Sequence, residues 1–418
     1  MKKAFLEADV LLPDFDKVDG KKWAVIACDQ HTSELEYWRE AEKISEGAPS
    51  TLNLILPEVY LEETEKRVPM INACMEEYLK EVFVEHKNSL IYLERRQNDG
   101  RIRQGLVGCC DLMEYEYEKG KESLIRATEG TVIERIPPRV KIRRNAPVEL
   151  PHVMLLIDDA EKKVIEPLEK KKESFDLAYS FPLMLGGGEV TGYFISEDAK
   201  REILSEIDRL NSREQMEKKY GISKEPLLFA VGDGNHSLAS AKAFYEEKRK
   251  ELGTAAENHP SRYALVEIVN LHSDALSFEP IYRVLFGVNL KEIIRELKLY
   301  AEALSGKEKC QTVEYISKDE NGKLVFEKPT QQLTVGTLQA FIDEYIKTHT
   351  GVTVDYIHGV EATKKLAMQE GAIGFLFDGM EKSELFKTVM LDGALPRKTF
   401  SMGHAEDKRY YIEARKIK

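Results

Sequence analysis

The chain has 418 residues, 42% hydrophobic and 32% charged, which excludes an intrinsically disordered protein and gives length for roughly two to three domains. Its 73 acidic and 61 basic residues leave a formal charge of -12, which argues against generalised attraction to nucleic acid or to an anionic membrane. No apolar run approaches the ~18 residues needed to span a bilayer, and Glu7 and Asp9 stand where a signal peptide needs its apolar stretch, so a cytoplasmic location is expected.

The first strand is predicted over 23–28. It is followed by Asp29, Gln30, His31, Thr32, Ser33 and Glu34, and then by a polar helix over 35–44. Hydrogen-bonding and titratable side chains just past a strand lie where open α/β sheets bind ligands; the competing reading is an Asp or Ser cap on an ordinary helix. A hairpin follows, running over 90–94, turning at Asn98-Asp99-Gly100 and returning over 102–109. Five cysteines (Cys28, Cys74, Cys109, Cys110, Cys310) form no C-x-x-C pair, so buried thiols are expected rather than a disulfide framework or a zinc site.

Thr128-Glu129-Gly130-Thr131 combines carboxylate and hydroxyl groups, and Arg135, Arg139, Lys141, Arg143 and Arg144 supply positive charge beyond it; a solvated charged face would look the same. Gly186-Gly187-Gly188 reads as a loop more readily than as a ligand cradle. A long polar helix is predicted over 197–220, capped by Ser196 and closed by Gly221. The next segment carries the most information: an apolar strand over 227–231, a tight loop Gly232-Asp233-Gly234-Asn235-His236, and a helix over 237–252. The first amides of a helix lack intrahelical partners and sit at the positive end of its dipole, so this layout suits an anion. The glycines allow close backbone approach, His236 and Ser237 add donors, and Asp233 could hold a metal or orient a hydroxyl. A turn with a capping Ser237 is the plain alternative. The loop matches neither G-x-x-x-x-G-K-[ST] nor G-x-G-x-x-G. His31 and His236 lack the spacing of a shared transition-metal site.

Beyond residue 291 the pattern runs helix, hairpin, helix, strand, helix, strand, helix, with an amphipathic helix over 338–346 and strands near 352–356 and 372–377. The predicted fold class is α/β with mixed sheets (α+β). It is divided into a main domain over 1–290, which carries the Asp-Gly-Asn-His loop, and a smaller α/β domain over 291–418.

With these segments in this order, the whole chain resembles the bacterial and archaeal family known as domain of unknown function 1015. The family's Ala-Asp-Gly-His-His-Arg motif stands here as Gly232-Asp233-Gly234-Asn235-His236-Ser237, matching at Asp233, Gly234 and His236. Its His-Glu-x-Thr element and later Arg match at Glu129, Thr131 and Arg139, with Thr128 in place of the His. Its Leu-Pro-Thr-His-Arg element matches at Pro280 and Arg283, and its Pro-Gln-Lys-Ser-Thr element at Pro396 and Lys398. The Asp-Gly-x-His loop is also similar to the signature of the ParB and sulfiredoxin-like superfamily, whose members bind nucleotide phosphates there and include free-serine kinases.

That resemblance implies a ParB/sulfiredoxin-like nucleotide-binding core using ATP or ADP with Mg²⁺, and phosphoryl transfer to a small hydroxylated metabolite, free serine first. Residues Gly232, Asp233, Gly234, Asn235, His236 and Ser237 would cradle phosphates, with His236 donating to a transferring or bridging oxygen. Asp29 or Glu129 would accept the hydroxyl proton, and the other, or Asp233, would hold Mg²⁺. Ser237 stands where ParB-type loops carry Arg, so Arg139, Arg283 or Lys398 would supply the missing positive ligand. The alternative is a regulator that binds a nucleotide or metabolite without catalysis. A ParB-like nucleic-acid protein is disfavoured by the acidic balance. The expected partner is therefore a small molecule, with no membrane and no nucleic acid.

Overall fold

A computed structural model describes residues 3–130, 136–403 and 405–418. The chain forms two compact units, one made of Met1–Leu276 with His404–Lys418 and one of Ser277–Gly403.

The first unit is built on a ten-stranded mixed sheet. In chain order its strands are β1 (Phe5–Leu6), then, after a separate short strand β2 (Val25–Ile26), β3 (Ile91–Arg96), β4 (Ile102–Asp111), β5 (Tyr115–Glu116), β6 (Ile125–Ala127), β7 (Met154–Ile157), β8 (Asp176–Pro182), β9 (Glu189–Phe194), β10 (Phe229–Asp233) and β11 (Tyr263–Asn270). They lie in the order β8-β9-β3-β4-β11-β7-β10-β6-β5, with β1 on β4. The β7–β11, β6–β10 and β5–β6 pairs are parallel and the others antiparallel. Central strands β7 and β10 are covered on both faces, which is why Met154–Ile157 and Phe229–Val231 read as continuous apolar runs rather than alternating ones. Gly105 on β4 has a packing reason: a Cβ there would lie 2.5 Å from Glu267 Oε1 on the neighbouring strand.

Helices α1 (Leu35–Ser45), α2 (Thr64–Glu81), α3 (Ile136–Asn145), α4 (Glu197–Leu210), α5 (Arg213–Tyr220) and α6 (Asn235–Leu252) complete this unit. The single helix predicted over 197–220 is two. Ser212 leaves helical geometry and caps α5, its Oγ accepting from the Gln215 amide at 3.4 Å. The helix predicted from 237 begins at Asn235, directly after Gly234. The strand predicted over 23–28 shrinks to Val25–Ile26, preceded by a helical turn at Gly20–Trp23.

The chain returns to this unit at its end. Tyr410–Tyr411 pairs with β2, and Arg415–Lys416 with Val148–Glu149. The tail that sequence reading assigned to the C-terminal domain therefore belongs to the first unit, because strand pairing over a great sequence distance decides it. The second unit starts earlier than residue 291, since β12 (Phe278–Phe286) is an interior strand of its sheet. That sheet adds β13 (Gln311–Ile316), β14 (Gly322–Phe326), β15 (Thr353–His358) and β16 (Ala372–Phe377) in the order β14-β13-β16-β12-β15, all antiparallel. Its helices include α7 (Leu290–Ala303) and α8 (Thr334–Thr348). Both units are mixed α/β structures. Among the described residues no helix is long and apolar enough to cross a membrane.

Candidate functional site

The Asp-Gly-Asn-His loop begins where β10 runs out of apolar residues. Gly234 adopts φ +81°, and a Cβ on it would meet the Val153 Cα at 3.0 Å, so glycine is required both for the turn and for the close approach of the Pro151-His152-Val153 segment. The turn launches the 18-residue α6, where the Leu238 N–H donates to the Gly234 carbonyl at 2.9 Å. The preceding amides face outward from the helix start, as helix geometry requires. Asn235 ties this start to the end of β6: its Oδ1 accepts from the Thr128 amide at 3.2 Å, and the Thr128 hydroxyl donates to the Val231 carbonyl at 2.6 Å. Half-buried Glu129, next in the chain, is thereby placed beside the loop. His236 and Ser237 are half-buried in the first turn, with the His236 carbonyl accepting from Ser240 Oγ at 2.7 Å.

Asp29 follows β2 and is held from two sides. Its Oδ1 accepts from Gln30 Nε2 at 3.1 Å, and its Oδ2 lies 3.4 Å from His152 Nε2. The other His152 nitrogen, Nδ1, is 2.8 Å from the Tyr411 hydroxyl, which also accepts from the Cys28 amide at 3.3 Å and donates to Cys28 Sγ at 3.1 Å. Across the 2.8 Å contact either the Tyr411 hydroxyl or the protonated Nδ1 can donate, and the charged form of His152 is favoured by its neighbours. Burial works against a charge on His152, but the carboxylate of Asp29, its hydrogen bond and the charge of Asp233 outweigh it and raise the pKa. Burial likewise opposes the Asp29 charge, yet His152, Gln30 and Lys408 hold its carboxyl well below the ordinary 3.8.

Asp29 and the Asp233 loop thus converge on His152, which lies between them. Lys408, from the returning tail, completes the cluster: its Nζ is 3.4 Å from Asp233 Oδ2, and both side chains are 17% exposed. Arg139 on α3 is bound to Glu58, whose amide donates to the Cys28 carbonyl at 2.8 Å, so this guanidinium is tethered to the Asp29 turn.

Two of the predicted residues belong to the second unit. Arg283 is fully buried in the second unit, donating to Gln339 Oε1 at 3.0 Å and to the backbone carbonyls of Ile281, Lys398 and Arg397. It fastens the 397–398 turn, a structural role in place of the phosphate contact expected of it. Lys398 is exposed on that turn at φ +55°. Asp233 Oδ1 accepts from the Gly234 amide at 2.9 Å while Oδ2 lies 3.4 Å from Lys408 Nζ. His31 and Glu34 brace the turn, with His31 Nδ1 3.1 Å from Glu34 Oε1 and its ring stacked on Tyr37 at 3.8 Å. Thr131 and Arg135 lie outside the described residues. A cavity of about 880 Å³ opens between α1 and α2, lined by Ser45, Asn53, Tyr60, Arg67, Cys74 and Tyr78 among others; none of the predicted site residues lines it.

Sequence reasoning passed over His152, Lys408 and Tyr411. Pro151-His152 directly before an apolar strand was the one available signal; nothing local marks the tail residues.

The sequence matches the family described as protein of unknown function (DUF1015) over residues 13–345. The chain belongs to that family. Lys408 and Tyr411, which complete the cluster in this DUF1015 protein, lie beyond the matched segment. No curated protein matches it in sequence. Solved structures similar to this DUF1015 chain include a conserved hypothetical protein from Pyrococcus furiosus, at 11% identity and a TM-score of 0.35, covering 75% of this chain and 95% of that one. A free serine kinase in complex with AMP is similar at 12% identity and a TM-score of 0.38, covering 75% and 91%. A C-terminally truncated SbnI from Staphylococcus aureus is similar at 10% identity and a TM-score of 0.33, covering 73% and 85%.

The Asp29–His152 pair gives the DUF1015 protein a defined pH dependence. A raised His152 pKa contributes stability that is complete below the ordinary 6.5 and is lost as pH rises through the folded value. A depressed Asp29 pKa contributes stability that is present above the ordinary 3.8 and is lost on acidification through the folded value. The pair is therefore fully formed between those two ordinary values. NMR titration of His152 should give a midpoint above 6.5 that moves down in Asp29→Asn; a midpoint at or below 6.5 in the wild type contradicts the assignment.

Proposed function

We propose that this protein is a nucleotide-dependent small-molecule kinase, which binds the phosphates of ATP or ADP at the Gly232–Ser237 loop and transfers a phosphoryl group to a substrate hydroxyl. The observation that carries this reading is the convergence of Asp29 and the Asp233 loop on His152, which brings a carboxylate held in its ionised form toward the start of α6. The first amides of α6 and His236 donate to phosphate oxygens, and Lys408 and Arg139 supply the positive charge that Ser237 does not. The substrate hydroxyl donates a hydrogen bond to Asp29, its oxygen bonds to the terminal phosphorus, and the bond from phosphorus to the bridging oxygen breaks. The hydroxyl proton passes late to Asp29, so the low basicity of this carboxylate costs little in a loose transition state. Glu129, beside Asn235, is the second carboxylate within reach of the loop.

Free serine is the first acceptor to test, as the likeness of the loop implies. Purified protein incubated with ATP or ADP, with and without Mg²⁺, and with serine should yield phosphoserine by ³¹P NMR. Tight nucleotide binding without product from serine or from a pool of amino acids and polyols would sink the kinase reading. The second reading, a non-catalytic nucleotide- or metabolite-binding regulator, is favoured by the pairing of Asp233 with Lys408 and of Asp29 with His152, and it is the reading that binding without turnover would support.

A further inference from the structure

We propose that the second unit binds a divalent transition-metal ion, with Zn²⁺ as the reference cation, through Glu292, Glu296 and His349. Glu292 and Glu296 stand one turn apart on α7, and His349 follows the last residue of α8; one ligand atom from each lies within 4.8 Å of the other two. The imidazole is oriented for metal. Its Nδ1 lies 2.9 Å from the Tyr345 carbonyl, which can only accept, and 3.0 Å from the Thr348 hydroxyl; the tautomer that donates from Nδ1 to the carbonyl leaves the Nε2 lone pair free for a cation. Nε2 points to the carboxylates, 3.8 Å from Glu296 Oε1. A histidine with one nitrogen fixed by a backbone carbonyl and the other turned to carboxylates is the arrangement that metal-binding histidines adopt.

A second observation is independent of the acidic pair. Tyr345 is 3% exposed, its ring is stacked on His349 at 3.8 Å, and its buried hydroxyl has no hydrogen-bond partner. The charges of both Glu292 and Glu296 reach that hydroxyl, which therefore lies close to the acidic pair. A buried hydroxyl without a partner is costly, and a metal-bound water or a ligating carboxylate oxygen would accept its proton. The cation would also relieve repulsion between two like charges at i and i+4, which Arg295 meets only distantly, 4.0 Å from Glu292. One nitrogen and two carboxylates suit Zn²⁺ or Mn²⁺ better than Mg²⁺.

Calorimetric titration of the full chain with Zn²⁺ and with Mn²⁺ tests this. The expected result is saturable one-to-one Zn²⁺ binding and a higher melting temperature for the second unit. His349→Ala and Glu296→Gln should abolish both effects, and Tyr345→Phe should weaken binding by about 10–100-fold. Tyr345→Phe preserves the ring packing and so separates ligand support from folding. Metal-free melting of each variant at the wild-type temperature confirms that the fold is intact. The absence of saturable binding in the wild type, or its survival in both His349→Ala and Glu296→Gln, overturns the proposal.

Discussion

Arg409→Ala should lower the stability of the first unit by about 3–5 kcal/mol, the cost of leaving buried charges without their partner. Arg409 is 4% exposed, and its Nε donates to Glu267 Oε2 at 2.9 Å and a terminal nitrogen to Glu413 Oε2 at 2.8 Å. Its remaining terminal nitrogen donates to the Pro151 carbonyl at 2.9 Å. Glu267 and Glu413 are 1% and 0% exposed, so neither can turn to water when the guanidinium is removed. Arg103, 3.2 Å from Glu267, and the Tyr179 hydroxyl on Glu413 cannot make up the lost charge. Trp23 and Trp38 are the two tryptophans and both are buried in the first unit, so fluorescence in urea reports on that unit. Arg144→Ala is the control. Arg144 is 55% exposed and 2.8 Å from Glu247, and a surface pair of this kind contributes no more than about 1 kcal/mol. If the two variants unfold at the same urea concentration, the buried network is not what holds the tail. Because the bond to Pro151 precedes His152 directly, Arg409→Ala should also raise the nucleotide concentration needed for half-maximal binding.

Asp29→Asn should reduce kcat for the proposed phosphoryl transfer by about 10²–10⁴-fold, the range associated with a positioned proton acceptor. The substitution keeps the shape of the side chain and removes the negative charge that favours a protonated His152. Nucleotide affinity should change little, since the phosphates are assigned to the Gly232–Ser237 loop. Because His152 holds the Asp29 carboxyl well below its ordinary value, kcat should show no acid limb from Asp29 between roughly pH 5 and 7. His152→Gln should lower kcat less than Asp29→Asn and should introduce a pH dependence on the acid side as Asp29 returns toward its ordinary value. If Asp29→Asn keeps kcat within about threefold of wild type while Glu129→Gln loses it, the proton acceptor is Glu129.

Half of the cluster was legible in the sequence, and the reason is locality. The Gly232–Ser237 loop announces itself through an apolar strand, two glycines and a helix in immediate succession, and Asp29 through its place just past a strand. The end of the 197–210 helix escaped notice because Asn211-Ser212 is polar like its surroundings and breaks the helix only through the Ser212 cap. Arg283 misled because a matched position does not reveal burial: its guanidinium hydrogen-bonds backbone carbonyls that a sequence cannot place.

By itself the sequence determined the class of fold, the strand-loop-helix over 229–252 and the family, because each depends on short-range patterns of apolar residues, glycines and caps. The tertiary structure alone decided that Lys408, Arg409 and Tyr411 belong to the first unit, that His152 lies between Asp29 and the loop, and that Asp233 pairs with Lys408. Those contacts join segments more than a hundred residues apart, and their energies come from burial and charge pairing that exist only once the strands have aligned.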